Sequence, residues 1–216
     1  MTAVTTSSDA KLHITIYSYG PGTYTPQQKI GHFELRPTIP PPIVGNPALI
    51  HLWAQGLATE MVNDLKHSNQ WDCQICRVKP AREQNFNIIS FTEQSPPLTL
   101  IFIHNVCKAS TNLCHRIVQG IARKAQAIAA EGASEPPIDF NPWTDFDTPP
   151  EKVSGLASSC AKCHDEKTGV RGYRMSRCSG CRLVRYCCPG CQKADWNRHK
   201  KVCRMVESVV WENFDE

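Results

Sequence analysis

Cys160-Ala-Lys-Cys163, Cys178-Ser-Gly-Cys181, Tyr186-Cys187-Cys188-Pro-Gly-Cys191-Gln192 and Trp196-Asn-Arg-His199-Lys-Lys-Val-Cys203 follow one another within forty-four residues. Eight of the twelve cysteines lie in that stretch. A Cys-x2-Cys pair suits a metal because so short a turn brings both sulfurs to one side, and a second pair completes a tetrahedral shell. With Cys188 set aside as a spectator, seven cysteines and His199 make four pairs, enough for two ions. Zn2+ fits best, since it takes thiolate and imidazole without redox chemistry. Spacing alone does not say which pairs share an ion. The competing reading, ordinary buried thiols, needs four correctly spaced pairs to arise by accident.

Taken together, Cys-x2-Cys, Cys-x2-Cys, Tyr-Cys-x3-Cys-Gln and Asp-Trp-x2-His-Lys-x2-Cys resemble the MYND zinc finger at every ligand position. In that family the pairs alternate in a cross-brace. The resemblance implies one zinc held by Cys160, Cys163, Cys187 and Cys191, and a second by Cys178, Cys181, His199 and Cys203. The loop from Cys163 to Cys178 is on the long side for the family, and Cys188 stands where serine is common; neither change removes a ligand. Family fingers dock short proline-containing peptides in a shallow groove. Carried over position by position, the groove residues are Ser179, Gln192 and Trp196. A buried core tryptophan is the plain alternative for Trp196.

The rest of the chain sets the context. It has 216 residues, 41% apolar and 20% charged, which allows one ordinary domain beside a small metal-stapled one. No apolar run reaches the length of a membrane span. The first ten residues lack a basic and then apolar leader, and are expected to be disordered. Many cysteines without a leader point to reduced thiols and metal sites, hence to an intracellular protein, nuclear or cytoplasmic. Net charge is +4. Residues 160–204 hold twelve Lys+Arg against three Asp+Glu, a surplus of nine, so the remainder carries −5. Two Zn2+ and seven thiolates would leave the finger at +6.

An α+β domain is expected over 11–131. Leu12, Ile14 and Ile16 alternate with polar neighbours as in a half-buried strand, and 31–36 reads as a second one. Pro37, Pro40, Pro41 and Pro42 force extended geometry. Asn46-Pro47 is a helix start; Ile50, Trp53, Leu57, Met61 and Leu65 then recur at helical spacing to about Lys66. Residues 87–92 and 98–106 read as a hairpin, and Ser110 or Thr111 caps a second helix with Cys114, Ile117, Ile121, Ala125 and Ile128 on one stripe. Residues 132–159 are expected to be a linker and 204–216 a short helical tail.

Four cysteines remain. Cys73, Cys76, Cys107 and Cys114 follow the order knuckle, hairpin, cysteine, helix, which resembles the layout of treble-clef zinc domains and suggests a third zinc. His104 and His115 are candidate substitute ligands for that zinc, against ordinary unliganded histidines, and buried free thiols are the alternative to the site as a whole.

Shells filled by protein leave no position for water or substrate, so the metals are expected to be structural and the chain not an enzyme. No nucleophile elbow, zinc-protease helix, phosphate loop or dinucleotide fingerprint is present. MYND fingers also occur in SET-domain methyltransferases, but the residues flanking this finger read as too few for a SET domain. The leading expectation is a protein-interaction adaptor. The alternative is a nucleic-acid-associated regulator using the basic finger surface.

Overall fold

The computed structural model describes residues 10–22, 25–107, 113–131 and 155–214, with backbone alone over 125–131. Five strands, β1 (His13–Tyr19), β2 (Ile30–Leu35), β3 (Glu83–Phe91), β4 (Leu98–Val106) and β7 (Val206–Glu212), form one sheet in the order β3-β4-β1-β2-β7. Three pairings are antiparallel, whereas β1 and β4 run parallel with Ile16 opposite Ile101. A two-stranded ribbon, β5 (Ser176–Arg177) and β6 (Arg185–Tyr186), lies within the finger. The α-helices among the described residues are α1 (Pro47–Lys66), α2 (Leu113–Glu131) and α3 (Pro189–Cys203). The α+β class read from the sequence is what the chain adopts.

Alternation in β1 buries Ile14 and Ile16, and the same sheet face carries Phe33, Leu35, Ile101 and Ile103. α1 covers that face. Its Asn46 cap accepts the Leu49 N–H at 3.1 Å, and Pro47 opens the first turn without leaving a donor unmet. Ile50, Leu57, Met61 and Leu65 are buried as the spacing predicts, each worth roughly 1.5–3 kcal/mol of burial. Trp53 is only partly buried, and Ala54 and Ala58 fill the helix–sheet contact instead.

The same apolar cluster continues into the finger through Ala161, Leu183, Val184, Tyr186 and Val202. The two regions therefore share a core. Two expectations change as a result. The tail after the finger is the strand β7 and not a helix. Its Val209 pairs with Phe33 and its Trp211 with Gly31, satisfying the open edge of β2. Residues 155–159, expected to be linker, are packed: Ala157 N–H donates to the Ala81 carbonyl at 2.9 Å, and Ala157, Ser158 and Ser159 are buried. Residues 1–9 and 132–154, expected to be disordered and linker, lie outside the described residues, as do Ser110 and Thr111. On α2, Cys114 and Val118 are buried while Ile117 is exposed, so the inward face is rotated from the expected stripe. Ala125 and Ile128 fall where only backbone is described.

Candidate metal centres

Among the described residues, three groups of cysteine and histidine converge, and within each the ligand atoms lie within 4.8 Å of one another. A zinc tetrahedron with bonds of about 2.3 Å to sulfur has edges of about 3.8 Å. In the first quartet the Sγ atoms of Cys163 and Cys187 are 3.8 Å apart, and those of Cys187 and Cys191 are 3.5 Å apart. In the second, Cys178 and Cys203 Sγ are 3.9 Å apart, and Cys181 Sγ lies 3.5 Å from His199 Nε2. In the third, Cys76 and Cys107 Sγ are 4.0 Å apart. All twelve cysteines are free thiols. The quartets are the expected ones, and pairs alternate between the finger's two sites.

α3 is what braces them. Cys191 lies in its first turn and His199 and Cys203 in its last two, so one rigid helix spans both finger sites. Cys188, a spectator with respect to the quartets, has a local role. It is the N-cap of α3, and its Sγ accepts the Cys191 N–H at 3.4 Å. Gly180 leaves room for a ligand: a Cβ there would meet Cys203 Sγ at 3.0 Å, so the sulfur would have to shift.

The three Cys-x2-Cys turns whose two cysteines belong to one quartet share one geometry. In each, the residue after the second cysteine has a left-handed backbone: Arg77 at φ 62°, His164 at 55° and Arg182 at 59°. Its N–H donates to the carbonyl of the first cysteine, at 3.0 Å to Cys73, 3.0 Å to Cys160 and 2.8 Å to Cys178. Non-glycine residues enter this conformation at a cost, and three repeats of it at Cys-x2-Cys turns mark a common purpose. The Cys73 knuckle is built like the two in the finger. Cys107 follows β4 directly and Cys114 opens α2, matching the knuckle, hairpin, helix order. His104 and His115 stay outside the quartet; His104 Nδ1 instead pairs with Gln74 Oε1 at 2.8 Å.

Electrostatics within the quartets call for a cation. Burial opposes the Cys160 thiolate, but N–H groups of Cys163, Cys187 and Lys162 outweigh it and bring the thiol to about 7. Cys178 reaches about 7 against the same burial, through N–H groups of Cys181 and Gly180 and the His199 ring. Cys76 does so through the N–H groups of Val78 and Lys79. Burial pushes Cys107 and Cys191 up to about 12; the sulfurs of Cys73, Cys76 and Cys114 add to it at Cys107, and at Cys191 a hydrogen bond with Cys187 works against it while Cys188 and Cys160 add. One readily ionised sulfur beside others that ionise only next to positive charge is the donor chemistry of a metal site. Zn2+ bound there supplies folding energy and no reactive position.

Residues 159–203 match the family model for the MYND finger. The chain carries a MYND finger. Over 55 residues it is 36% identical to the fission yeast (Schizosaccharomyces pombe) SET domain and MYND-type zinc finger protein 6, covering 26% of this chain and 10% of that protein. Over 58 residues it is 35% identical to a SET and MYND domain-containing protein of Dictyostelium discoideum, covering 26% and 11%. The chain thus spans about a tenth of the length of these curated relatives, and the likeness is confined to the finger region. No solved structure matches it.

Of the groove residues, Ser179 is exposed in the Cys178 knuckle. Gln192 and Trp196 stand one turn apart on α3. Trp196 is 42% exposed, so it is not a core tryptophan, and its ring meets His199 edge-on with centroids 6.1 Å apart. Asp195, His199 and Val202 form the buried side of the same helix. Sequence reasoning missed Asp64 of α1, whose Oδ2 lies 3.0 Å from His199 Nδ1. Nothing in the local sequence around Asp64 marks it, because its partner is 135 residues away.

Proposed function

We propose that this chain is a zinc-braced adaptor whose MYND finger docks short proline-containing peptides of other proteins. The observation that carries the reading is Trp196: a large aromatic face left open on a helix whose other side is locked into the core. Prolines stack on such a ring, and Gln192 one turn earlier can hydrogen-bond an extended backbone, with Ser179 supplying a third polar contact. The metals act as structural supports, since four protein ligands fill each shell, and catalysis is not part of this reading. Reduced thiols in three quartets suit an intracellular setting, nuclear or cytoplasmic. No helix among the described residues is long and apolar enough to cross a membrane.

A peptide array followed by calorimetry on the zinc-loaded chain tests this. Proline-containing peptides should bind, and Trp196→Ala should weaken them at least tenfold with zinc content unchanged. Binding indifferent to Trp196→Ala would overturn the groove. Association with DNA that falls steeply with salt would favour the alternative use of the basic finger surface.

A further inference from the structure

The second finger site does not end at its four ligands. Asp64 sits near the end of α1, far from the finger in sequence, with no exposed surface. Its two oxygens are divided between consecutive residues of α3. Oδ2 accepts from His199 Nδ1 at 3.0 Å, and Oδ1 accepts from Arg198 Nη2 at 2.6 Å. With the proton on Nδ1, the lone pair of His199 Nε2 points at the quartet, where Cys181 Sγ is 3.5 Å away. Arg198 is already served by Asp195, which binds it through both oxygens and also accepts from the Tyr186 hydroxyl at 2.9 Å. A counter-ion for Arg198 alone would not require a second buried carboxylate, nor one with an oxygen committed to an imidazole.

We propose that Asp64 supports the second zinc from behind its histidine ligand, fixing the tautomer and ring orientation of His199. Carboxylates placed this way commonly set metal affinity by one to two orders of magnitude. The N-terminal domain, through one helix, then tunes the finger's metal, and the finger is not a self-sufficient module in this chain. This holds whether or not the finger binds proline peptides.

Zinc transfer from the loaded chain to a chromophoric chelator provides the test. Asp64→Ala should release one zinc equivalent about 10–100-fold faster than the wild type while the others leave at wild-type rates. Asp64→Asn, which keeps the shape but not the charge, should fall between. The Nδ1 proton of His199, followed by 15N NMR, should be protected in the wild type and lose that protection in Asp64→Ala. Leu65→Ala, next along α1 and fully buried in the shared core, controls for general loosening: its zinc ions should leave in step. If Asp64→Ala does not fold, Asp64→Asn against Leu65→Ala carries the comparison. Release at wild-type rates, or release of all equivalents in step as in Leu65→Ala, would overturn the proposal and leave Asp64 as a packing partner of Arg198.

Discussion

The guanidinium of Arg177, in the finger, lies over the indole of Trp211 on β7, 4.4 Å from the ring centroid. The same indole meets Phe33 of β2 at 5.1 Å, and Trp71 and Phe214 beside it. Arg177 also donates to the carbonyl of Ser68 at 2.6 Å and of Leu183 at 3.2 Å. Burial, and then Arg182, lowers its pKa to about 10, which still leaves it charged at neutral pH. One ring therefore ties tail, sheet and finger together. Trp211→Ala should cost roughly 3 kcal/mol in urea unfolding, and Trp211→Phe less, since it keeps the contact with Phe33.

Gly31 is where β2 lets that ring approach. A Cβ there would stand 2.5 Å from the Phe33 ring and 2.8 Å from Trp211. Gly31→Ala should destabilise by about 1–3 kcal/mol, the range for overpacking. Amide hydrogen exchange should show protection lost first across the pairing of β2 with β7, and unchanged exchange there would contradict the packing.

The Cys73 knuckle gives a separate prediction. Cys107→Ser should lower zinc content by one equivalent and leave the finger's two in place, because the quartets share no ligand. Near-ultraviolet dichroism of the finger tryptophan should be retained. Loss of all the zinc would mean that the sites are not independent.

Two buried histidines set part of the acid response. Burial first, then Lys66 and His164, lowers His67 to about 3; burial lowers His104 to about 4. Both stay neutral in the folded chain while the unfolded chain protonates near 6.5. Their contribution is therefore present in full above about 6.5 and is lost as the pH falls toward 4 and 3. The slope is up to about 1.4 kcal/mol per pH unit for each histidine. Ring-proton NMR should show neither titrating between pH 8 and pH 5, and a midpoint near 6.5 for either would refute the assignment.

How much of this was legible in the residues follows from what each signal depends on. Zinc ligands are local in chemistry and regular in spacing, so the ligand residues could be written down before any fold was known; how they divide between the finger's two ions came from the family resemblance, and the third quartet stood beside a buried-thiol alternative. The Asn46 cap, Pro47 and the run from Ile50 to Leu65 are equally local, and α1 begins where they say. β7 was not legible. Val206, Val209 and Val210 are spaced as in a helix, and only the open edge of β2, some 170 residues earlier, makes them a strand. Residues 155–159 look like linker because they continue a proline-rich stretch with no periodicity, yet their backbone bonds to Ala81 and to His67 fix them in the interior. On α2, Cys114 faces the metal quartet, and this sets the helix rotation that leaves Ile117 outside. Asp64 has no signature because a lone aspartate in an amphipathic helix normally faces water.

The most direct measurement is the zinc content of the purified chain, by inductively coupled plasma mass spectrometry against quantitative amino-acid analysis. Three zinc ions per chain are expected, one for each quartet. Two per chain, with Cys73, Cys76, Cys107 and Cys114 all open to a thiol reagent, would contradict a structure braced at three metal centres.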